Sequence, residues 1–209
     1  MIAIIDYGRG NLGSVEKAFE RLGLDAVVTQ RADVVDAADA VVLPGDGAFH
    51  DAMANLDRLR LLVALRRALD GRRPFLGICL GYQLLFSTSE EFGDGRGLDV
   101  IPGVVRRFPP GRKIPHMGWN QVRHEGRLRL FEGIPEDAYF YFVHSYYPLV
   151  GSADPCTAWC EYGVRFAAAI EHGRICATQF HPEKSQRWGL RLLENFATMV
   201  RAGRAVSRP

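Results

Sequence analysis

The 209-residue chain is sparing with cysteine, having four, and lysine supplies only three of its 26 basic residues. No apolar stretch approaches the length of a bilayer crossing, so a membrane-spanning protein is excluded. A charged block is missing as well: 26 Lys and Arg against 24 Asp and Glu leave a net charge of +2. The adjacent basic pairs Arg66-Arg67, Arg72-Arg73 and Arg106-Arg107 are scattered, a poor footprint for nucleic acid. The opening MIAIIDYG is too short and uncharged for a secretory leader and reads as a strand. A cytoplasmic location is expected, where thiols stay reduced. Cys156 and Cys160 have zinc-ligand spacing, but no second Cys/His pair follows at finger-like distance. Cys156, Cys160 and Cys176 are therefore read as packing thiols, and neither a metal nor another cofactor is expected. No repeat and no low-complexity segment interrupts the chain.

What is present is a βα alternation. IAIIDY, AVVTQ, DAVVLPG and RPFLGIC are apolar runs of strand length that end in turn residues. Between them, Val15, Phe19 and Leu22 fall at helical spacing, a long helix is expected from about Ala48 to Leu69, and LGYQLLFSTSEE is expected as a further helix. Continuous apolar strands separated by helices predict a parallel sheet covered on both faces. After Glu91 the pattern shifts to Gly- and Pro-rich loops and short strand-like pieces: VIPGVVRRF, AYFYFVHSYY, TAWCEY, RFAAAIEH and RICATQFH. An amphipathic helix from about Gln186 to Ala202 closes the chain. One α/β domain over residues 1–203, its parallel sheet extended by an antiparallel second half, and a tail over 204–209 are expected.

Three glycine turns and one histidine carry the chemistry. Gly8-Arg9-Gly10-Asn11-Leu12-Gly13 matches the dinucleotide fingerprint G-x-G-x-x-G, but Gln30 and Arg31 stand where the ribose-binding acid belongs; Arg31 would suit a 2′-phosphate. LPGDGAF, residues 43–49, ends the third strand where ligands bind in open α/β sheets. In GICLGYQ, Cys79 falls where a strand hands over to a helix, flanked by Gly77 and Gly81. That is the logic of a nucleophile elbow, with the Leu80 N–H placed to hold an oxyanion; a buried, inert cysteine fits the same residues. His181-Pro182-Glu183 ends an apolar strand, and extended geometry points Glu183 toward the imidazole. Together with Cys79 these residues complete a Cys-His-Glu triad.

On LPGDGAF, GICLGYQ and HPE the chain resembles the class I glutamine amidotransferases over nearly its whole length. On IDYGRGNLGSV, PHMGWN, YFVHSYY and FHPEKS it resembles, within them, the glutaminase subunits of imidazole glycerol phosphate synthase. The resemblance implies a flavodoxin-like fold and a Cys79 nucleophile served by His181 and Glu183. It also implies an oxyanion site from Leu80 and the Gly45–Asp46 turn, and L-glutamine held by Gln83, His144, Ser145 and Tyr146. It implies a (β/α)8-barrel cyclase partner facing Asn11, Trp119, Tyr141 and Lys184, and it moves the opening glycines from a dinucleotide site to that partner face. Asp46 departs from the apolar residue, often valine, usual there; a carboxylate would repel a developing oxyanion unless it points away or is paired. Three other readings remain: another class I amidotransferase subunit, serving anthranilate, aminodeoxychorismate or pyridoxal phosphate synthesis, against which PHMGWN and the DYGRGN opening speak; a Cys-His peptidase or deglycase on a similar sheet, against which Gln83 and the late H-P-E argue; and a nucleotide-binding module built on Gly8–Gly13.

Overall fold

The structure, a computed structural model, describes residues 1–151 and 156–206. Among the described residues, six helices and thirteen strands follow one another as β1 (Ile2–Ile5), α1 (Leu12–Arg21), β2 (Ala26–Thr29), α2 (Ala32–Ala37), β3 (Ala40–Leu43), α3 (Phe49–Arg58), α4 (Leu62–Ala68), β4 (Phe75–Ile78), α5 (Leu80–Gln83), β5 (Phe86–Ser89), β6 (Gly95–Arg96), β7 (Ile101–Arg107), β8 (His116–Val122), β9 (Ala138–His144), β10 (Tyr146–Val150), β11 (Cys156–Glu161), β12 (Arg165–His172), β13 (Ile175–Thr178) and α6 (Gln186–Val206).

Seven strands form the main sheet in the order β11-β12-β13-β4-β3-β1-β2. The five from β13 to β2 are parallel, and β12 and β11 add on antiparallel. The apolar runs are continuous because both faces are buried. Ile2, Ile4, Val42, Leu76 and Ile78 meet Phe19 of α1 and Phe196 of α6 in one core. Ala3, Ile5, Val41, Leu43 and Phe75 meet Phe49, Leu56 and Leu65 of α3 and α4 in the other. Four strands form a second sheet in the order β10-β7-β5-β6, and β8 pairs with β9 as a separate antiparallel ribbon. The expected parallel α/β sheet with an antiparallel second half is what the chain forms.

Several local expectations are corrected. The single helix over 48–69 is two, because Arg60 takes a left-handed φ of 56° between α3 and α4. The helix expected from LGYQLLFSTSEE stops at Gln83, and Phe86–Ser89 pairs in parallel with β7 instead. AYFYFVHSYY is not one strand: the chain passes from the β8–β9 ribbon to the second sheet at Ser145. The segment ADVVDA, unassigned from sequence, forms α2. α6 continues to Val206, through the start of the expected tail, and residues 207–209 lie outside the described residues. Cys156 is exposed rather than packed, while Cys160 is buried. Cys156 is the first residue of the edge strand β11, and Cys160 lies further along it among the core residues.

The parallel order sets the C-terminal ends of β13, β4, β3 and β1 side by side, so the segments after them share one edge. Closest approach there is between α5 and β3: a Cβ on Gly81 would lie 1.8 Å from the Leu43 carbonyl oxygen. Gly81→Ala is accordingly expected to cost about 3 kcal/mol or more. Gly13→Ala, with nothing within 4 Å of the added atom, should instead stabilise by about 0.5 kcal/mol. Equal unfolding free energies for the two variants, measured in urea, would show that the elbow is not so confined.

Candidate active site

Cys79 joins β4 to α5 with φ 54° and ψ −105°. This is a conformation that non-glycine residues hold only when their surroundings impose it. The surroundings are visible: a Cβ on Gly77 would lie 2.9 Å from the Gly81 carbonyl oxygen, so the elbow closes only on bare backbone at both glycines. The turn projects the thiol from the sheet edge, 4.0 Å from the carbonyl oxygen of Val143. Gln179 Nε2 donates to the sulfur at 3.8 Å, and Gln83 Nε2 in turn donates to Gln179 Oε1 at 3.0 Å. Two amides in series thus direct a partial positive charge at Cys79. Gln179 was not singled out from sequence, since only the pairing of β13 beside β4 brings it to the thiol.

The segment after β13 brings His181 to the same edge. Its Nδ1 lies 2.8 Å from Glu183 Oε1, within a 3-10 turn at Pro182–Lys184. With Nδ1–H donated to the carboxylate, Nε2 is the nitrogen left for chemistry, and it is buried without a partner. Burial pushes the His181 imidazolium down, but the nearby Cys79 sulfur, and after it Glu183, raise it to about 10. Held as imidazolium, His181 places a positive charge beside the Cys79 sulfur. The turn is fixed by main chain: His181 N–H donates to the Tyr141 carbonyl at 3.0 Å. Ser185 Oγ donates to the His181 carbonyl at 2.6 Å and accepts from Tyr141 N–H at 2.9 Å. Ser185 is a second residue that the sequence reading passed over.

The Gly45–Asp46 turn lies across from the elbow. Leu80 N–H is bonded, at 3.4 Å, to the Gly45 carbonyl oxygen. An expected anion-binding donor is thus occupied by a carbonyl of the expected anion-binding turn. Asp46 does not face the thiol unpaired: its Oδ1 accepts the Gly10 N–H at 3.1 Å. Gly10, with φ 98°, packs its backbone on this turn, where a Cβ would lie 3.3 Å from Gly45 Cα. Of the opening glycines, Gly10 is thus used against a neighbouring loop, and Arg31 is paired with Asp33.

A cleft of about 410 Å3 opens over Cys79 and is lined by Asn11, Asp46, Leu80, Gln83, His144 and His181, among others. Ser145, Tyr146 and Lys184 also lie on it. Gln83 Nε2 donates to the Tyr146 carbonyl at 2.9 Å, tying the elbow helix to that wall. Glu91, buried and unmarked by sequence, contributes a carboxylate to the cleft while its Oε2 accepts the Phe49 N–H at 2.7 Å. Trp119 and Tyr141 stand outside the cleft, their rings 6.0 Å apart on the β8–β9 ribbon, with Trp119 45% exposed.

Behind the Ser145 wall runs a chain of imidazoles. Asn120 Nδ2 donates to His116 Nε2 at 3.2 Å, His116 Nδ1 lies 2.9 Å from His144 Nε2, and His144 Nδ1 lies 2.8 Å from the Tyr146 carbonyl. Only one assignment satisfies every link: each histidine neutral, with its proton on Nδ1. Burial lowers His116 to about 4 and His144 to about 3.

Residues 3–200 match the family of class-I glutamine amidotransferases. The imidazole glycerol phosphate synthase subunit HisH of Moorella thermoacetica is 55% identical over 98% of each chain. The HisH subunit of Methanothermobacter thermautotrophicus is 55% identical over 97% of this chain and all of its own. A solved glutamine amidotransferase structure superposes with a TM-score of 0.74 at 18% identity, covering 96% of this chain and 99% of that one.

The imidazole chain gives the protein a pH dependence. Above the ordinary value of 6.5 both histidines are neutral folded or unfolded; below it the unfolded chain takes up protons that the folded chain refuses. Stability is thus lost as pH falls from 6.5 toward 4, by at most about 1.4 kcal/mol per pH unit for each histidine. In His116→Gln the fall in unfolding free energy between pH 6.5 and 4.5 should be shallower; an unchanged slope would show that His116 is not held neutral.

Proposed function

The chain belongs to the class-I glutamine amidotransferase family and, within it, to the HisH subunits of imidazole glycerol phosphate synthase, an enzyme of histidine biosynthesis; from that membership we propose that it hydrolyses glutamine to glutamate and ammonia through Cys79, His181 and Glu183 and passes the ammonia directly to a (β/α)8-barrel cyclase subunit. The observation that carries the reading is the meeting, at one sheet edge, of a thiol on a strained elbow and an imidazole whose far nitrogen is bound to a carboxylate.

The thiolate of Cys79 attacks the side-chain amide carbon of glutamine, and the electron pair of the carbonyl moves onto oxygen. His181, protonated in the resting pair, delivers its Nε2 proton to the departing nitrogen, so ammonia leaves and a γ-glutamyl thioester remains. Water, deprotonated by the now neutral His181, attacks the thioester and releases glutamate with the thiolate restored. Glu183 holds the tautomer throughout. The donors of Gln179 and Gln83 favour the thiolate when it returns as leaving group. Glu91 supplies the one buried negative charge on the cleft that suits the α-ammonium of the substrate, while Gln83, His144, Ser145 and Tyr146 bound the pocket around its side chain.

Stabilising the tetrahedral oxyanion requires Leu80 N–H, which the Gly45 carbonyl occupies. Turning the Gly45–Asp46 peptide over would free that donor and offer the Asp46 N–H beside it. A resting state without the pair of donors suits a subunit whose product is lost to water as ammonium unless a partner is in place. Asn11 and Lys184 at the cleft, with Trp119 and Tyr141 beside it, form the face offered to the cyclase. The cyclase joins the ammonia to its nucleotide substrate and makes imidazole glycerol phosphate and aminoimidazole carboxamide ribotide.

With the cyclase present, Cys79→Ser should reduce glutamine-dependent product by about a hundredfold or more, while ammonium salts still support the synthase. Normal glutamine-dependent flux in that variant would refute the role of Cys79. Glu91→Gln should raise KM for glutamine by roughly tenfold or more, the worth of a charged hydrogen bond, with a smaller change in kcat. A KM equal to wild type would remove Glu91 from the ammonium site.

A further inference from the structure

The turning of the Gly45–Asp46 peptide creates a bookkeeping demand that the triad does not meet. Gly45 is buried, so a carbonyl withdrawn from Leu80 N–H needs another donor. Among the described residues, three buried side-chain polar atoms have no partner: His181 Nε2, Glu183 Oε2 and the hydroxyl of Tyr7. The first two belong to the triad. The third lies against the turn itself, since a Cβ on Gly45 would come within 1.8 Å of the Tyr7 oxygen and 3.1 Å of Leu80 Cβ. Tyr7 follows β1, whose C-terminal end borders that of β3, and its side chain is fully buried. Packing alone would be served as well by phenylalanine, without an orphan hydroxyl in the interior.

We propose that Tyr7 is a positioning residue for the oxyanion site: its hydroxyl takes up the Gly45 carbonyl when that carbonyl leaves Leu80, and so holds the turn in the form that presents the Leu80 and Asp46 N–H groups to substrate. This rests on the glutaminase reading above. The bond to be given up is long, at 3.4 Å, and the hydroxyl to be satisfied is already in place. Burial, followed by the negative charges of Cys79 and Asp46, raises the phenol well above its ordinary value, so it keeps its proton and remains a donor when the thiolate forms. On the outer side of the turn, the bond from Gly10 N–H to Asp46 anchors the side chain while the peptide rotates. The Gly45 carbonyl is thus held in the resting turn by one long bond, and in the active turn by the hydroxyl.

The test is Tyr7→Phe, assayed in complex with the cyclase and its nucleotide substrate. The kcat for glutamine hydrolysis should fall roughly tenfold, the worth of one buried hydrogen bond, with KM for glutamine and the affinity for the cyclase unchanged. Ammonia-supported product formation should match wild type. The unfolding temperature of the variant should be equal or higher, since the hydroxyl it loses has no partner in the resting state. A kcat within twofold of wild type would overturn the inference, and so would a fall in kcat accompanied by an equal loss of stability or of cyclase affinity. If the wild-type complex itself turned over no glutamine, the glutaminase reading would fail; an active wild type beside an equally active Tyr7→Phe would sink the role of Tyr7 alone.

Discussion

Everything at the sheet edge depends on one close contact, the approach of the α5 backbone at Gly81 to the carbonyl of Leu43. That contact has no room for a methyl group. It lets the chain reverse within a single residue after β4, and the reversal forces Cys79 into its left-handed φ. The cost of that conformation, of order 1–3 kcal/mol, is met by two buried cores and a sheet that is parallel on both sides of β4. Once the elbow is closed, strand order does the rest, because β13 and β3 are the neighbours of β4 and their following segments carry His181 and the Gly45–Asp46 turn, the proposed base and oxyanion turn.

The electrostatics follow from the same crowding. Two amide donors reach the thiol in sequence, a carboxylate fixes the distal nitrogen of His181, and the buried imidazoles of His116 and His144 stay neutral close by. A protonated His144 on the cleft wall would compete with the imidazolium of His181, and burial prevents that. Asp46, the residue that looked out of place, has its carboxylate bonded by the Gly10 N–H.

Much of this was legible in the chain. Apolar runs ended by glycine gave the parallel strands, and the elbow glycines with H-P-E pointed to the three residues proposed as the triad. What was not legible has identifiable causes. Arg60 breaks the long helix through a backbone conformation that its side chain does not announce. Phe86–Ser89 leaves helical geometry to pair with a strand that comes later in the chain. The tyrosine-rich run divides at Ser145 because its two halves serve different sheets. Gln179 and Glu91 acquire their places only through strand pairing and loop closure, which no local pattern encodes. The orphan hydroxyl of Tyr7 is of the same kind: its meaning lies in what it does not touch.

Tyr141 holds the turn of His181 entirely through its backbone, accepting from one N–H and donating its own to Ser185. Any residue except proline could make those two bonds. The side chain at this position is therefore free of the catalytic geometry, although it sits directly above it beside Trp119. The two jobs proposed at this position, facing the cyclase and holding the base, thus fall on different parts of one residue, so its side chain can change over evolutionary time without moving His181.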